Sequence, residues 1–90
     1  MERNWNKFQQ DYPVGKQVRG IIVRKMPFGV FVDINEPFMA LLEIIEMKEL
    51  EYKRYTKDLQ FNVGEVIHGY VLDCAIHNQQ LRITQKQESE

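Results

Sequence analysis

Two phenylalanines, Phe28 and Phe31, are the residues whose type and spacing point most directly to a chemical role. The alternation of Val30-Phe31-Val32-Asp33-Ile34 predicts a strand with three aliphatic side chains on one face and Phe31 with Asp33 on the other. Large rings that face solvent are costly unless something covers them. Stacking of nucleic-acid bases is one answer, because each stacked base contributes about 1 to 3 kcal/mol. The other is that the long loop or an amino-terminal helix folds over the rings, and the residues alone leave both open.

Residues that could support catalysis or metal binding are few and scattered. Cys74 lies in an apolar run and is interpreted as a small core residue. His68 has no partner in a recognisable motif. Asp33 and Glu43 could face each other across a hairpin, but two carboxylates without further ligands make a poor metal site. The chain has no phosphate-cradling glycine loop and no Cys or His cluster at zinc spacing, so we expect neither an enzyme nor a cofactor or metal.

Basic residues near the two rings could contact phosphates while the rings hold bases. Arg24 and Lys25 precede the turn around Phe28, and Arg82 falls on the outward face of the last predicted strand. Four further cations in the long connection between the third and fourth strands are interpreted as solvated charges: Lys48, Lys53, Arg54 and Lys57.

Five short strands and one helix are needed to position these residues. Trp5, Phe8 and Tyr12 recur at spacings of three and four, which predicts an amphipathic helix over residues 4–12. Strand patterns fall around residues 18–23, 30–34, 38–44, 63–71 and 80–84. Residues 45–60 favour a helical turn or two before the chain loosens near residues 55–58. The predicted fold class is all-β: a five-stranded Greek-key barrel of the OB type, with a short amino-terminal helix and a helical turn between strands three and four.

The chain has 90 residues, of which 43% are hydrophobic, and this suffices for one domain with one modest core. We expect an amino-terminal helix at 1–12 packed on the barrel, an OB domain at 13–86 and a flexible tail at 87–90. The net charge of -1 argues against a strongly basic nucleic-acid binder. The single cysteine, with no signal peptide and no apolar run of membrane length, favours a cytoplasmic protein.

Motifs in a fixed order along residues 12–86 resemble those of one family. They are Val14-Gly15 with Val18-x-Gly20, Pro27-Phe28-Gly29-Val30-Phe31-Val32-Asp33, Ala40-Leu41-Leu42-Glu43-Ile44, Val63-Gly64 with Val71-Leu72, and Leu81-Arg82-Ile83-Thr84. Their order and spacing are similar to those of the S1 RNA-binding domain, the repeated module of the largest small-subunit ribosomal protein. The resemblance implies a five-stranded OB barrel that binds single-stranded RNA across strands two and three. It also implies that Phe28 and Phe31 occupy the two stacking positions.

The chain departs from the family pattern around the two rings. Where the family usually has a histidine on the third strand, this chain has Glu43, and a carboxylate there repels phosphate. Ile45 replaces a common serine. Ala75 and Gln80 replace an aspartate and an arginine that often flank the last loop. The comparison with the family pattern therefore implies weak or selective RNA binding.

The predicted function is single-stranded RNA binding with low sequence specificity. In this hypothesis the rings stack bases, the cations contact phosphates, and Glu43 and Gln80 read base edges. The residues assigned to the site are Lys25, Phe28, Phe31, Glu43, Gln80 and Arg82. The alternative is a protein-docking module on the ribosome or an RNA-processing complex, with a degenerate RNA face, which the near-neutral charge and Glu43 favour. A monomer without membrane association is expected in either case.

Overall fold

The computed structural model describes residues 4–48, 51–76 and 78–86, so the predicted tail at 87–90 lies outside the described residues. Helix α1 covers Trp5–Asp11 and precedes the strands β1 (Gln17–Met26), β2 (Gly29–Asp33) and β3 (Ala40–Glu43). A 3-10 turn at Ile44–Glu46 and helix α2 (Tyr52–Thr56) follow, and β4 (Val66–Ala75) and β5 (Gln80–Thr84) complete the fold. None of the described helices combines the length and apolar character that crossing a membrane requires.

The five strands close into a barrel in the order β1-β2-β3-β5-β4. Strands β3 and β5 run parallel, and the other neighbouring strands are antiparallel. A closed barrel leaves no sheet edge for pairing with another chain. The structure thus confirms the predicted five-stranded barrel with a short amino-terminal helix and a helical segment between strands three and four.

Every second residue of the strands points into the barrel, as the two-residue period of a strand requires. Val18, Gly20 and Ile22 of β1 are buried while the residues between them are exposed. Val30 and Val32 of β2 are buried in the same interior. The cluster also includes Ala40, Leu42, Ile67, Val71, Leu81 and Ile83. The alternation predicted for the first two strands is therefore confirmed.

Gly20 allows β1 to pass closely over β2. A Cβ atom at this position would lie 2.5 Å from Cγ1 of Val32 and 2.6 Å from the carbonyl oxygen of Asp33. Any side chain would push the two strands apart, so glycine is required where the barrel wall is this tightly packed.

Helix α1 packs on the barrel through an aromatic cluster. The Phe8 ring is fully buried, and its centroid lies 5.0 Å from that of Phe38. Trp5 and Tyr12 flank Phe8 at centroid distances of 5.5 Å and 4.6 Å. Such aromatic pairs contribute about 0.5 to 1.5 kcal/mol each beyond the area that they bury. The helix is therefore held beside Phe38.

The third strand differs from its prediction in length and register. It ends at Glu43, because the following residues form the 3-10 turn instead of extending a strand over 38–44. Glu43 is paired with Gly29 of β2, whereas Asp33 is paired with Ile21 of β1. The expectation that Asp33 and Glu43 face each other across the hairpin is wrong.

Candidate nucleic-acid interface

A row of outward side chains crosses the barrel wall. The strand register places Arg24 next to Phe31, and Phe31 next to Leu41. It then places Arg82 of β5 between Leu41 and Asp73 of β4. Cross-strand partners point to the same side of a sheet, so these side chains form one stripe. We call the side formed by Phe28, Phe31, Leu41, Glu43 and Arg82 the aromatic face.

The two phenylalanine rings of the aromatic face are accessible from solvent to different degrees. Phe28, in the turn between β1 and β2, is 45% exposed, and Phe31 is half-buried. Their ring centroids are 6.1 Å apart and their planes are perpendicular, at 90°. Helix α1 packs against Phe38 instead. The alternative in which a helix or loop covers the rings therefore does not hold for Phe28.

Arg82 is held between two carboxylates on the aromatic face. Its Nη1 donates a hydrogen bond to Oδ2 of Asp73 at 2.9 Å, and its Nη2 donates to Oε1 of Glu43 at 3.0 Å. The Arg82 side chain is 34% exposed, so water screens both ion pairs and each contributes about 0 to 1 kcal/mol. A phosphate can reach Arg82 only in competition with two anions that also repel it.

Glu43 keeps one carboxylate oxygen available to a ligand. Its Oε1 is bonded to Arg82, whereas its Oε2 accepts no hydrogen bond from the part of the chain that the structure describes. The residue paired with it, Gly29, has no side chain to shield it. The neighbouring Phe28 is joined to the end of β3 by a hydrogen bond of 3.0 Å from Ile44 N to its carbonyl oxygen. Glu43 therefore lies on the same side of the sheet as Phe31 and next to the turn that carries Phe28.

The other positions that depart from the family pattern lie around this face. Gln80 is on the same side of β5 as Arg82, two residues away, and its Cα partner on β4 is Ala75. The Oε1 atom of Gln80 lies 3.4 Å from Nδ2 of Asn78. Ile45 is 64% exposed just beyond β3. Polar and apolar groups here are thus within reach of a ligand on the aromatic face.

The Lys25 ammonium is bonded to the long connection between β3 and β4. Its Nζ donates to the carbonyl oxygen of Gln60 at 2.7 Å and to Oδ1 of Asn62 at 3.2 Å, and it forms an ion pair of 3.2 Å with Asp58. The ammonium also lies 4.4 Å from the centroid of the Tyr55 ring, and the side chain is only 14% exposed. Of the predicted site residues, the structure thus brings together Phe28, Phe31, Glu43, Gln80 and Arg82, and it sets Lys25 apart from them.

Residues 11–87, most of the chain, match the S1 RNA binding domain. The chain belongs to this family. The resemblance inferred from the motifs is confirmed.

Two curated relatives and one solved structure illustrate the likeness. The chain is 30% identical over 90 residues to 4-hydroxy-3-methylbut-2-enyl diphosphate reductase of Clostridium acetobutylicum, a match covering 99% of this chain and 14% of the reductase. It is 25% identical over 89 residues to small ribosomal subunit protein bS1 of Rhizobium meliloti, covering 97% of this chain and 15% of that protein. Its fold is similar to that of protein MJ1198 from Methanocaldococcus jannaschii, with a TM-score of 0.68, 23% identity, and coverage of 87% and 97% of the two chains. The chain therefore spans a small part of both curated relatives, and the reductase match concerns only that part of the enzyme.

Tyr55, which the sequence did not single out, fastens helix α2 to this S1 domain. It is buried, and its Oη donates to the carbonyl oxygen of Gly29 at 2.9 Å and also contacts that of Met26. Burial, aided by the nearby Tyr52 and Asp58, raises the pKa of the Tyr55 phenol, which keeps it a donor. The expectation that the chain loosens near residues 55–58 is therefore wrong at Tyr55. The sequence offered only a weak signal, because Tyr52 in the same helix is an equally large aromatic residue and is exposed.

Asp73 is the second residue that the sequence did not single out, and it borders the aromatic face of this S1 domain through its bond to Arg82. A register shift in β4 between Val71 and Asp73 decides that Asp73, and not a neighbour, is paired with Arg82. No local pattern reveals such a bulge. The next residue, Cys74, packs against the core, and burial followed by the charge of Asp73 raises the pKa of its thiol. Among the described residues no group of three or more His, Cys, Asp or Glu could hold a metal ion.

Proposed function

We propose that this chain, acting as a monomer, binds single-stranded RNA with low sequence specificity through the aromatic face. The observation that carries the proposal is the exposed Phe28 ring, 6.1 Å from Phe31 on the strand surface of an S1 domain. An exposed ring offers a π surface to every base, so stacking supplies affinity without a strong sequence preference.

The perpendicular rings also favour unpaired RNA. Bases stacked on Phe28 and Phe31 would have planes at right angles, because the ring planes meet at 90°. A duplex holds its bases in one parallel stack, whereas a single strand can splay its bases apart. The bound strand would therefore bend sharply between the two stacked nucleotides.

Glu43 and Gln80 supply the limited base reading in this proposal. The free Oε2 of Glu43 is an acceptor beside the rings, and guanine presents two adjacent donors, N1–H and the 2-amino group, on its Watson–Crick edge. Uracil presents one donor flanked by two carbonyl oxygens, which a carboxylate repels. At the nucleotide next to Glu43, guanine should therefore be favoured over uracil by about tenfold, the lower end of the contribution of a hydrogen bond to a charged group.

Lys25 and Arg82 are proposed phosphate contacts whose contribution is limited by their partners. Arg82 still has three of its five N–H donors free of the two ion pairs, so it can reach a phosphate while bonded to Glu43 and Asp73. Lys25 would have to release an oxygen ligand of the connection to do the same. The face by itself therefore predicts a shallow dependence of affinity on salt.

The test is a titration of labelled oligouridine into the natural protein and into Phe28→Ala, followed by fluorescence anisotropy and amide chemical shifts. Loss of one stacked base should weaken binding by about 1 to 3 kcal/mol, or roughly 5- to 150-fold. Phe28→Leu keeps an apolar side chain but no π surface and should lose nearly as much. Val14→Ala, at an exposed apolar position away from the face, is the matched control and should bind normally. No binding by the natural protein at high micromolar concentration would end the proposal.

The same titration tests base reading when one uridine is replaced by guanosine or by inosine, which lacks the 2-amino group. Guanosine should bind more tightly than inosine in the natural protein, and Glu43→Gln should remove that difference. Equal affinities for the two oligonucleotides would assign Glu43 no role in base selection.

Docking to a protein of the ribosome or of an RNA-processing complex is the second candidate function. Its support is an exposed aliphatic patch outside the aromatic face, where Ile21 and Val66 are cross-strand partners and Val23 lies on the same side of β1. Ile21→Ser with Val66→Ser should leave RNA affinity unchanged. If that variant loses co-sedimentation with ribosomes that the natural protein shows, docking is favoured.

A further inference from the structure

Three cations of the long connection are exposed and unpaired. Lys53, Arg54 and Lys57 form no ion pair or side-chain hydrogen bond within the described ranges. The segment 52–57 that contains them has no acidic residue and a charge of +3 from these three side chains. We call Lys53, Arg54 and Lys57 the basic helix, because two of them lie in α2 and the third is its carboxyl-terminal cap.

The basic helix is fixed beside the turn that carries Phe28. The Tyr55 hydroxyl contacts the carbonyl oxygens of Met26 and Gly29, which flank Phe28 closely in the chain. Lys25 holds the segment that follows α2 through the carbonyl oxygen of Gln60 at 2.7 Å. Two separate anchors therefore fix the helix that carries these cations against the turn that carries the more exposed stacking ring.

Helical geometry directs the two lysines of the basic helix away from the barrel. Lys57 N donates to the carbonyl oxygen of Lys53 at 3.1 Å, so the two residues are one turn apart on the same side of the helix. At about 100° per residue both lie roughly 160° from Tyr55, whose ring faces the barrel. Their ammonium groups thus form a short row in solvent.

We propose that the basic helix binds the phosphates of the same RNA strand whose bases stack on Phe28 and Phe31. This inference rests on the proposed function and names the groups that supply its electrostatic affinity. Arg82 and Lys25 are already neutralised by Glu43, Asp73 and Asp58. Arg24, exposed next to Phe31, has no ion pair among the described residues, but it is a single charge, whereas the basic helix carries three. Lys53 and Lys57 have no ion pair within the described ranges to break when they meet phosphate, and each contact releases condensed counterions from the RNA. The strand therefore runs from the aromatic face across α2.

The experiment compares the salt dependence of oligouridine binding in two double variants of the full chain. Lys53→Gln with Lys57→Gln removes two charges from the basic helix. Lys7→Gln with Arg19→Gln removes two exposed charges from α1 and β1, and so gives the same net charge. The slope of log affinity against log salt should become shallower by about 1.4 in the first variant, at about 0.7 for each phosphate contact on a single strand, and stay unchanged in the second.

Phe28→Ala is the third variant of the experiment. It should weaken RNA binding while leaving the slope of log affinity against log salt unchanged. Natural slopes in both double variants would overturn the basic-helix proposal, and continued weakening by Phe28→Ala would show that the aromatic face still binds RNA. An equal fall in slope in both double variants would also overturn it, since net charge alone would then account for the effect. Absence of RNA binding by the natural chain would remove the proposed function itself.

Discussion

On the aromatic face, Arg82 is bonded to both Glu43 and Asp73, whereas on the neighbouring basic helix Lys53 and Lys57 have no acidic partner in the described chain. The face carries the rings, and its Arg82 is bonded to the carboxylates of the same surface. The basic helix has no stacking pair but keeps its charge for a ligand. A net charge of -1 therefore does not describe the local charge: the exposed rings and the cluster of three cations lie in two adjacent regions, to which we assign base stacking and phosphate binding in the proposals above.

Detaching the two regions from each other should have the largest effect. Tyr55→Phe leaves the carbonyl oxygens of Met26 and Gly29 without their donor, and we expect the free energy of unfolding to fall by about 1 to 3 kcal/mol. RNA affinity should fall as well, because one of the two anchors that fix the basic helix against the turn of Phe28 is lost. Urea denaturation and RNA titration measure both. Tyr52→Phe, at an exposed tyrosine of the same helix, should change neither quantity, and an equal loss there would contradict the anchoring role.

Removing the two carboxylates that bind Arg82 should have a smaller effect on RNA affinity, and the affinity should rise instead of falling. Glu43→Gln with Asp73→Asn frees Arg82 and removes two charges that repel phosphate, so affinity for oligouridine should rise by about 1 kcal/mol, the size of one screened charge contact. The salt slope should steepen by about 0.7 for the new contact. Stability should change little, because both ion pairs are partly exposed.

The control for this gain is Glu65→Gln with Asp33→Asn, which changes the net charge equally and keeps both side-chain acceptors. Its affinity for oligouridine should follow that of the natural chain. A similar gain in both variants would mean that Arg82 was never restrained by its carboxylates.

The smallest predicted effect is the loss of stability at alkaline pH that follows from the titration of Tyr55, the anchor between the two regions. The folded state raises the pKa of Tyr55, so the unfolded chain loses this proton first as the pH rises through about 10. The unfolded state then binds fewer protons, and stability falls above that pH by less than about 1.4 kcal/mol per pH unit, the limit for one proton. Denaturation curves of the natural chain and Tyr55→Phe should converge as the pH increases. Parallel curves would show that Tyr55 does not titrate in this way.

Much of the barrel follows from local patterns. The alternation through Val30 and Val32 assigns the inner side of β2, and the same pattern assigns the inner side of β1, since strand neighbours point to opposite faces. The placement of Phe28 and Phe31 on the outer surface follows from that pattern and from the adjoining turn. The length of β3 was less predictable, because Ile44 continues the apolar pattern while its backbone already turns.

The site residues also differ in whether local sequence patterns predict their arrangement. Phe31 and Arg82 share a side because each occupies an outward position of its own strand, which the sequence reveals. The pairing of Arg82 with Asp73 depends on the bulge in β4, and the capture of Lys25 depends on a connection more than thirty residues away in the chain. Neither is encoded in a short window of residues.

The amino-acid sequence alone therefore specified the strands, the inward and outward faces and the two rings, because these depend on neighbours one to four residues apart. Which cations form ion pairs depends on the tertiary structure of the closed barrel. Ion pairs form between groups that are distant in sequence, and their existence depends on register, bulges and the docking of loops. The arrangement on which the proposed RNA binding rests, a basic helix without ion pairs among the described residues and fixed against the turn of an exposed ring, is for that reason a property of the tertiary structure.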